Sequence, residues 1–222
     1  MTWIKICGIT NLEDAQTAVE AGADAVGFVF HEKSPRTIDS EAVREIVSQL
    51  PTNIEKVGVF AQDADDCVAI AKHCDLTAVQ VQISCRDYAA APGNQLVAVA
   101  SPNRIKVYVS WPATWLAGSA QAPDFKEPFG TIFLDSGTAQ QPGGTGKVFD
   151  WARAAPMVAS LRKRVNFVVA GGLTPENVVE AMGILRPWGV DVASGVEARP
   201  GKKDPRKVRA FIAAVRQADR SV

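Results

Sequence analysis

WIKICGITN, residues 3–11, reads as a short β-strand followed by a turn, and the turn decides the fold. Ile4 and Ile6 share one strand face, and the two-residue period puts Lys5 and Cys7 on the other. A strand that opens a dinucleotide-binding fold is followed by GxGxxG, which is missing after Cys7. Neither Lys5 nor Cys7 is an obvious core filler. A buried ammonium needs a partner, and cysteine is often kept for its reactivity.

Beyond this stretch, short apolar runs alternate with amphipathic segments, which is the pattern of βαβ units around a parallel sheet. The strands are expected at 2–7, 25–30, 56–60, 78–82, 131–135, 165–170 and 189–193, with one more supplied by either 96–100 (LVAVA) or 105–109 (IKVYV). Helix starts are marked by a capping box at Thr10 and Glu13, an acidic first turn at Asp63 and Asp66, and the N-cap-then-proline pairs Thr174-Pro175 and Asp204-Pro205. Eight such units leave about 28 residues each, which fits a compact α/β (β/α)8 barrel. Residues 1–222 are expected to form this one domain; a doubly wound open sheet is the runner-up.

The composition is that of an ordinary globular chain, 47% hydrophobic and 22% charged, with a formal net charge of zero. That balance gives no electrostatic reason to expect nucleic acid or an anionic membrane as partner, and favours a small molecule. With no signal segment and no run of roughly 20 apolar residues, a cytoplasmic location is expected. Cys7, Cys67, Cys74 and Cys85 are then reduced thiols. Cys67 and Cys74, two helical turns apart, can face the core together, and no CxxC or HxxxH pair points to a metal.

Three glycine-bearing loops crowd the last third: GGTG (143–146, with Gly144 and Gly146), AGGL (170–173, with Gly171 and Gly172) and ASGV (193–196, with Ser194 and Gly195). Loops after strands seven and eight are where barrels commonly bind phosphate on backbone N–H groups. The reacting part of a phosphorylated ligand would then lie over the barrel mouth, near Cys7, Arg36, Asp135 and Asp191. A thiol and a carboxyl at opposing strand ends suit proton removal on one side and proton donation on the other.

KICGIT (5–10), SPRTI (34–38), FLDSG (133–137), GGTGKVFDW (143–151), AGGLTPENV (170–178) and the segment from Asp191 to Ile212 closely resemble the phosphoribosylanthranilate isomerases of tryptophan biosynthesis. The resemblance runs nearly end to end, in order and at the right spacing. It implies a (β/α)8 barrel, no cofactor and an Amadori rearrangement, with Cys7 as general base, Asp135 as general acid and Arg36 gripping the anthranilate carboxylate. The chain departs from the family after the fourth strand, where Gln82 stands in place of a usual histidine.

That chemistry requires Asp135 to protonate the ring oxygen and Cys7 to take the C2 proton. Asp135 is therefore expected above the ordinary ~3.9, and Cys7 below ~8.5 through Lys5 and the helix start at Thr10. Lys5 is expected to point into the barrel and pair with Asp191, whose other possible role is a contact to sugar hydroxyls. His31 and the five tryptophans read as structural. The alternatives are a catalytically silent phosphosugar-binding barrel or another phosphate-binding barrel enzyme; an indole-glycerol-phosphate synthase or a pentose-phosphate epimerase would need a lysine acid or a histidine-rich metal site.

Overall fold

The computed structural model describes residues 1–60, 66–82, 100–113, 130–136 and 148–221. Eight parallel strands close on themselves in chain order: β1 (Trp3–Cys7), β2 (Ala25–Val29), β3 (Glu55–Phe60), β4 (Ala78–Gln82), β5 (Lys106–Pro112), β6 (Thr131–Asp135), β7 (Asn166–Val169) and β8 (Gly189–Val192). β8 returns to β1 with Asp191 opposite Lys5, so this is a barrel and the open sheet is excluded. The fifth strand is the IKVYV alternative; residues 96–99 of the other lie outside the described residues.

The described helices are α1 (Leu12–Glu20), α2 (Ser40–Val47), α3 (Cys67–His73), α4 (Trp151–Leu161), α5 (Val178–Leu185) and α6 (Pro205–Arg220). Strands send alternate side chains outward into the main core, as Ile4 and Ile6 of β1 do, and α6 answers with Val208, Phe211, Ile212 and Val215 at helical spacing. The inward residues Ala25, Val57, Ala78, Tyr108, Phe133 and Val168 fill the barrel itself. Burial on both faces is why the strands read as nearly continuous apolar runs.

Helix starts follow the sequence signals in part. Asp204 caps α6, accepting from the Arg206 N–H at 2.8 Å, with Pro205 in the first turn. The cap of α1 is Asn11, one residue later than expected: its Oδ1 accepts from the Asp14 N–H at 3.0 Å and its Nδ2 donates to the Asp14 carboxylate at 2.9 Å. Thr10 is drawn away because its hydroxyl donates to the Gly201 carbonyl. Thr174-Pro175 does not open α5 either. Thr174 donates its N–H to the Asn177 side chain at 2.8 Å in a turn, and the helix begins at Val178. Asp66 precedes α3 without a side-chain cap, and Asp63 lies outside the described residues. Cys67 and Cys74 are both buried at the two ends of α3, as their spacing implied.

After β8 the chain makes a short 3-10 turn (Ser194–Val196) and then an antiparallel ribbon, β9 (Glu197–Arg199) with β10 (Lys202–Lys203), to which no strand was assigned from sequence. The ribbon is tied to the start of α1, where Lys202 reaches Asp14 at 2.7 Å and Glu13 at 2.8 Å. Trp3 stacks on Trp188, with centroids 5.3 Å apart, and meets Tyr108 and Phe133 edge-on. Trp3 and Trp188 meet because the closed sheet brings the starts of β1 and β8 together.

Candidate active site

A cavity of about 390 Å³ is lined by strand-end and loop residues, among them Cys7, Arg36, Gln80, Asp135, Gly171 and Ser194. Its floor is set by β1. Lys5 is fully buried, donates to Asp191 Oδ1 at 2.9 Å and stands 5.0 Å from the centre of the Phe133 ring. Burial, the largest single effect, disfavours the ammonium, but the charges and hydrogen bonds of Asp191 and Cys7 together outweigh it and hold the Lys5 pKa above its usual value. Gly27 on β2 leaves the room: a Cβ there would lie 2.8 Å from Lys5 Cε and 2.9 Å from Cys7 Sγ. Asp191 therefore is the partner of Lys5, and it also lines the cavity.

Cys7 is where the electrostatic expectation fails. Its pKa is pushed up, first by burial and then by the Asp191 charge, against the lowering pull of Lys5 and Lys203. Lys5 cannot act as an unopposed cation beside the thiol, because Asp191 balances it. The helix start that was to assist sits farther off, at Leu12.

Arg36 comes from the loop after β2 and lies across Gly8, where φ is +75° and an added Cβ would come within 2.6 Å of Arg36 Cδ. Its Nε and Nη2 donate to the two carboxylate oxygens of Glu197 at 2.8 and 2.9 Å. That planar fork uses two of the five guanidinium N–H donors and leaves the others for a ligand. Glu197 also accepts from the fully buried Lys203 at 3.0 Å, and Lys203 donates to the Ala193 carbonyl at 3.1 Å. Burial opposes the Glu197 charge, yet the Arg36 hydrogen bonds and the Lys203 charge hold its carboxyl below the usual glutamate range.

Gly171, Gly172 and Ser194, from the loops after β7 and β8, line the same cavity. Gly171 takes φ +79°, and Asn177 braces the loop by donating to the Gly172 carbonyl at 3.0 Å. Gly195 lets the two loops touch, since a Cβ there would collide with the Leu173 carbonyl. Gly144 and Gly146, like Cys85 and Trp115, lie outside the described residues. His31, read as structural, instead lines the cavity.

Sequence reasoning missed Glu197, Lys203 and Gln80. The first two sit in a run of charges that resembles a solvated loop, and only the ribbon pairing of Lys203 with Glu197 brings them together. Gln80 did carry a signal: it is polar at an inward position of AVQVQ, as Lys5 and Asp191 are in their strands.

A closed parallel barrel with a thiol, a carboxyl, a guanidinium and two glycine loops around one cavity at its strand ends defines the class, a (β/α)8-barrel enzyme for an anionic small molecule. Residues 4–214 match the family described as N-(5'phosphoribosyl)anthranilate (PRA) isomerase. The N-(5'-phosphoribosyl)anthranilate isomerase of Chlorobaculum tepidum is 42% identical over 225 residues, covering 100% of this chain and 98% of the relative. The phosphoribosyl anthranilate isomerase of Thermotoga maritima superposes with a TM-score of 0.76 at 37% identity, covering 98% of this chain and all of the other. A further isomerase structure, in complex with reduced 1-(o-carboxyphenylamino)-1-deoxyribulose 5-phosphate, matches at 34% identity and TM-score 0.73, with 98% and 100% covered. The chain belongs to the phosphoribosylanthranilate isomerase family.

Proposed function

We propose that this chain, acting as one barrel domain over residues 1–222, converts N-(5-phospho-β-D-ribosyl)anthranilate to 1-(2-carboxyphenylamino)-1-deoxy-D-ribulose 5-phosphate in tryptophan biosynthesis, with Asp135 as general acid and Cys7 as general base. The observation that carries the assignment is that Cys7 and Asp135 line the same cavity as Arg36 and the glycine loops. Asp135 donates a proton to the furanose oxygen, and the ring opens to an iminium. The Cys7 thiolate removes the C2 proton, giving an enolamine that tautomerises to the ketose. Arg36 holds the anthranilate carboxylate with the donors Glu197 leaves over, Gly171, Gly172, Ser194 and Gly195, joined by Gly144 and Gly146, hold the phosphate, and Asp191 contacts the sugar. The partner is this phosphosugar. No described helix is long and apolar enough to cross a membrane, and a cytoplasmic location accords with a biosynthetic step.

Turnover of phosphoribosylanthranilate by the purified chain, read as product formed, is the test. Cys7→Ala and Asp135→Asn should each lose about 10²–10⁴-fold in rate while remaining folded. A variant that keeps more than about a tenth of wild-type turnover loses its assigned role, because a tenfold change is only about 1.4 kcal/mol.

A further inference from the structure

Gln80 lies on β4 between Ala78 and Gln82, opposite Val59 on one side and Tyr108 on the other. It is only 6% exposed, lines the cavity with Cys7, Asp135 and Asp191, and its Oε1 has no hydrogen-bond partner among the described residues. A buried carbonyl oxygen with no donor destabilises the protein that contains it, and an apolar side chain of the same length would suit the ligand-free barrel better. Such violations of core rules concentrate where a ligand completes the structure.

We propose that Gln80 is a substrate-contacting residue whose side-chain carbonyl accepts a hydrogen bond from a hydroxyl of the sugar, holding the pentose between Cys7 and Asp135. This rests on the reaction proposed above and adds a residue to it. The chemistry narrows the choice: phosphate and carboxylate are acceptors and cannot satisfy Oε1, whereas the donors of this substrate are its sugar hydroxyls and its anilino N–H, and the hydroxyl-deleted analogues below distinguish them. Lys5 already occupies Asp191 Oδ1, so the amide on β4 supplies a neutral acceptor on another wall of the same cavity.

The test separates stability from binding. Gln80→Met removes the orphaned oxygen at nearly constant shape, so the ligand-free protein should keep its Tm or gain about 2 °C or more. Affinity for the reduced product analogue, 1-(o-carboxyphenylamino)-1-deoxyribulose 5-phosphate in reduced form, should fall by about 5- to 150-fold, the range expected when a buried polar group loses its partner. Analogues lacking the 2- or the 3-hydroxyl complete the cycle. Deleting the contacted hydroxyl should weaken binding to wild type and leave binding to Gln80→Met unchanged. A lower Tm with unchanged affinity would make Gln80 structural, and additive losses for both hydroxyls would also overturn the proposal. Gln80→Leu gives the same readouts if the methionine variant does not fold. Wild-type turnover is the control: its absence would defeat the reaction assignment, while the binding cycle would still judge Gln80 by itself.

Discussion

Burial raises the Cys7 thiol and Asp191 offsets part of the lowering pull of Lys5, and these effects set the pH behaviour of the proposed base. With the thiol pushed up by burial, only a small thiolate fraction exists near neutrality, so kcat/KM should rise with pH along a limb placed above the ordinary thiol value of ~8.5. Lys203 is a second cation that pulls the thiol down. Replacing it in Lys203→Met should move that limb to still higher pH and slow alkylation of Cys7 at any fixed pH below the limb. Identical alkylation profiles for the two proteins would show that the Lys203 field does not reach the thiol. Lys5→Met is a poorer probe, because it strands Asp191 as an unpaired buried charge, a change that costs about 3–5 kcal/mol.

At the scale of elements, the ribbon of β9 and β10 links the loop after β8 to the loop after β2 through Glu197 and Arg36, and to α1 through Lys202. A glutamate held below its usual pKa stabilises the fold fully above the unfolded value of ~4.3, and that stabilisation disappears as pH falls through the folded value. Wild type should therefore be more stable than Glu197→Gln at neutral pH, with the gap closing below about pH 4 in denaturant titrations. A gap that stayed constant down to pH 3 would mean that the ionised carboxylate is not what joins the loops. The contact between the loops after β7 and β8 depends on the missing side chain of Gly195. Gly195→Ala should force them apart and weaken binding of phosphorylated ligands by about 10- to 100-fold, the scale of an ångström-sized misplacement. Competition by inorganic phosphate against the reduced analogue would register this loss; unaltered competition would remove these loops from the phosphate site.

For the whole molecule, closing the barrel requires the two ends of the chain to meet. Thr2 donates its N–H and its hydroxyl to Asp219 of α6, while Arg216 donates to the Thr2 carbonyl at 2.5 Å, the Gly22 carbonyl at 3.0 Å and Asp24 at 2.8 Å. Removing a charged donor from such part-buried acceptors costs about 1–3 kcal/mol. At roughly 2–4 °C per kcal/mol for a chain this long, Arg216→Ala should melt several degrees lower with kcat unchanged, and an unchanged Tm would show the seam to be unimportant. The strand runs, the unit length and the glycine loops after β7 and β8 were legible in the sequence because each is a local pattern whose period or turn chemistry is fixed by neighbouring residues. So were Lys5 and Asp191, as charges at inward positions of apolar strands, and Cys7 and Asp135, as polar strand ends. The cap of α1 was misplaced by one residue because Thr10 is claimed by Gly201, a partner far away in the chain. Arg36 was legible but not its tether, since Glu197 lies 161 residues on. The raised pKa of Cys7 was beyond sequence altogether: burial and the summed field of Lys5, Asp191 and Lys203 exist only after β8 has closed on β1 and the ribbon has folded back. In the sequence by itself, alternation and turn chemistry, which act over a few residues, were enough to place seven of the eight barrel strands and the inward charges of β1 and β8. Tertiary structure alone decided which of those charges are spent on each other and which remain for a ligand, because that depends on distances between residues that meet only when the barrel closes.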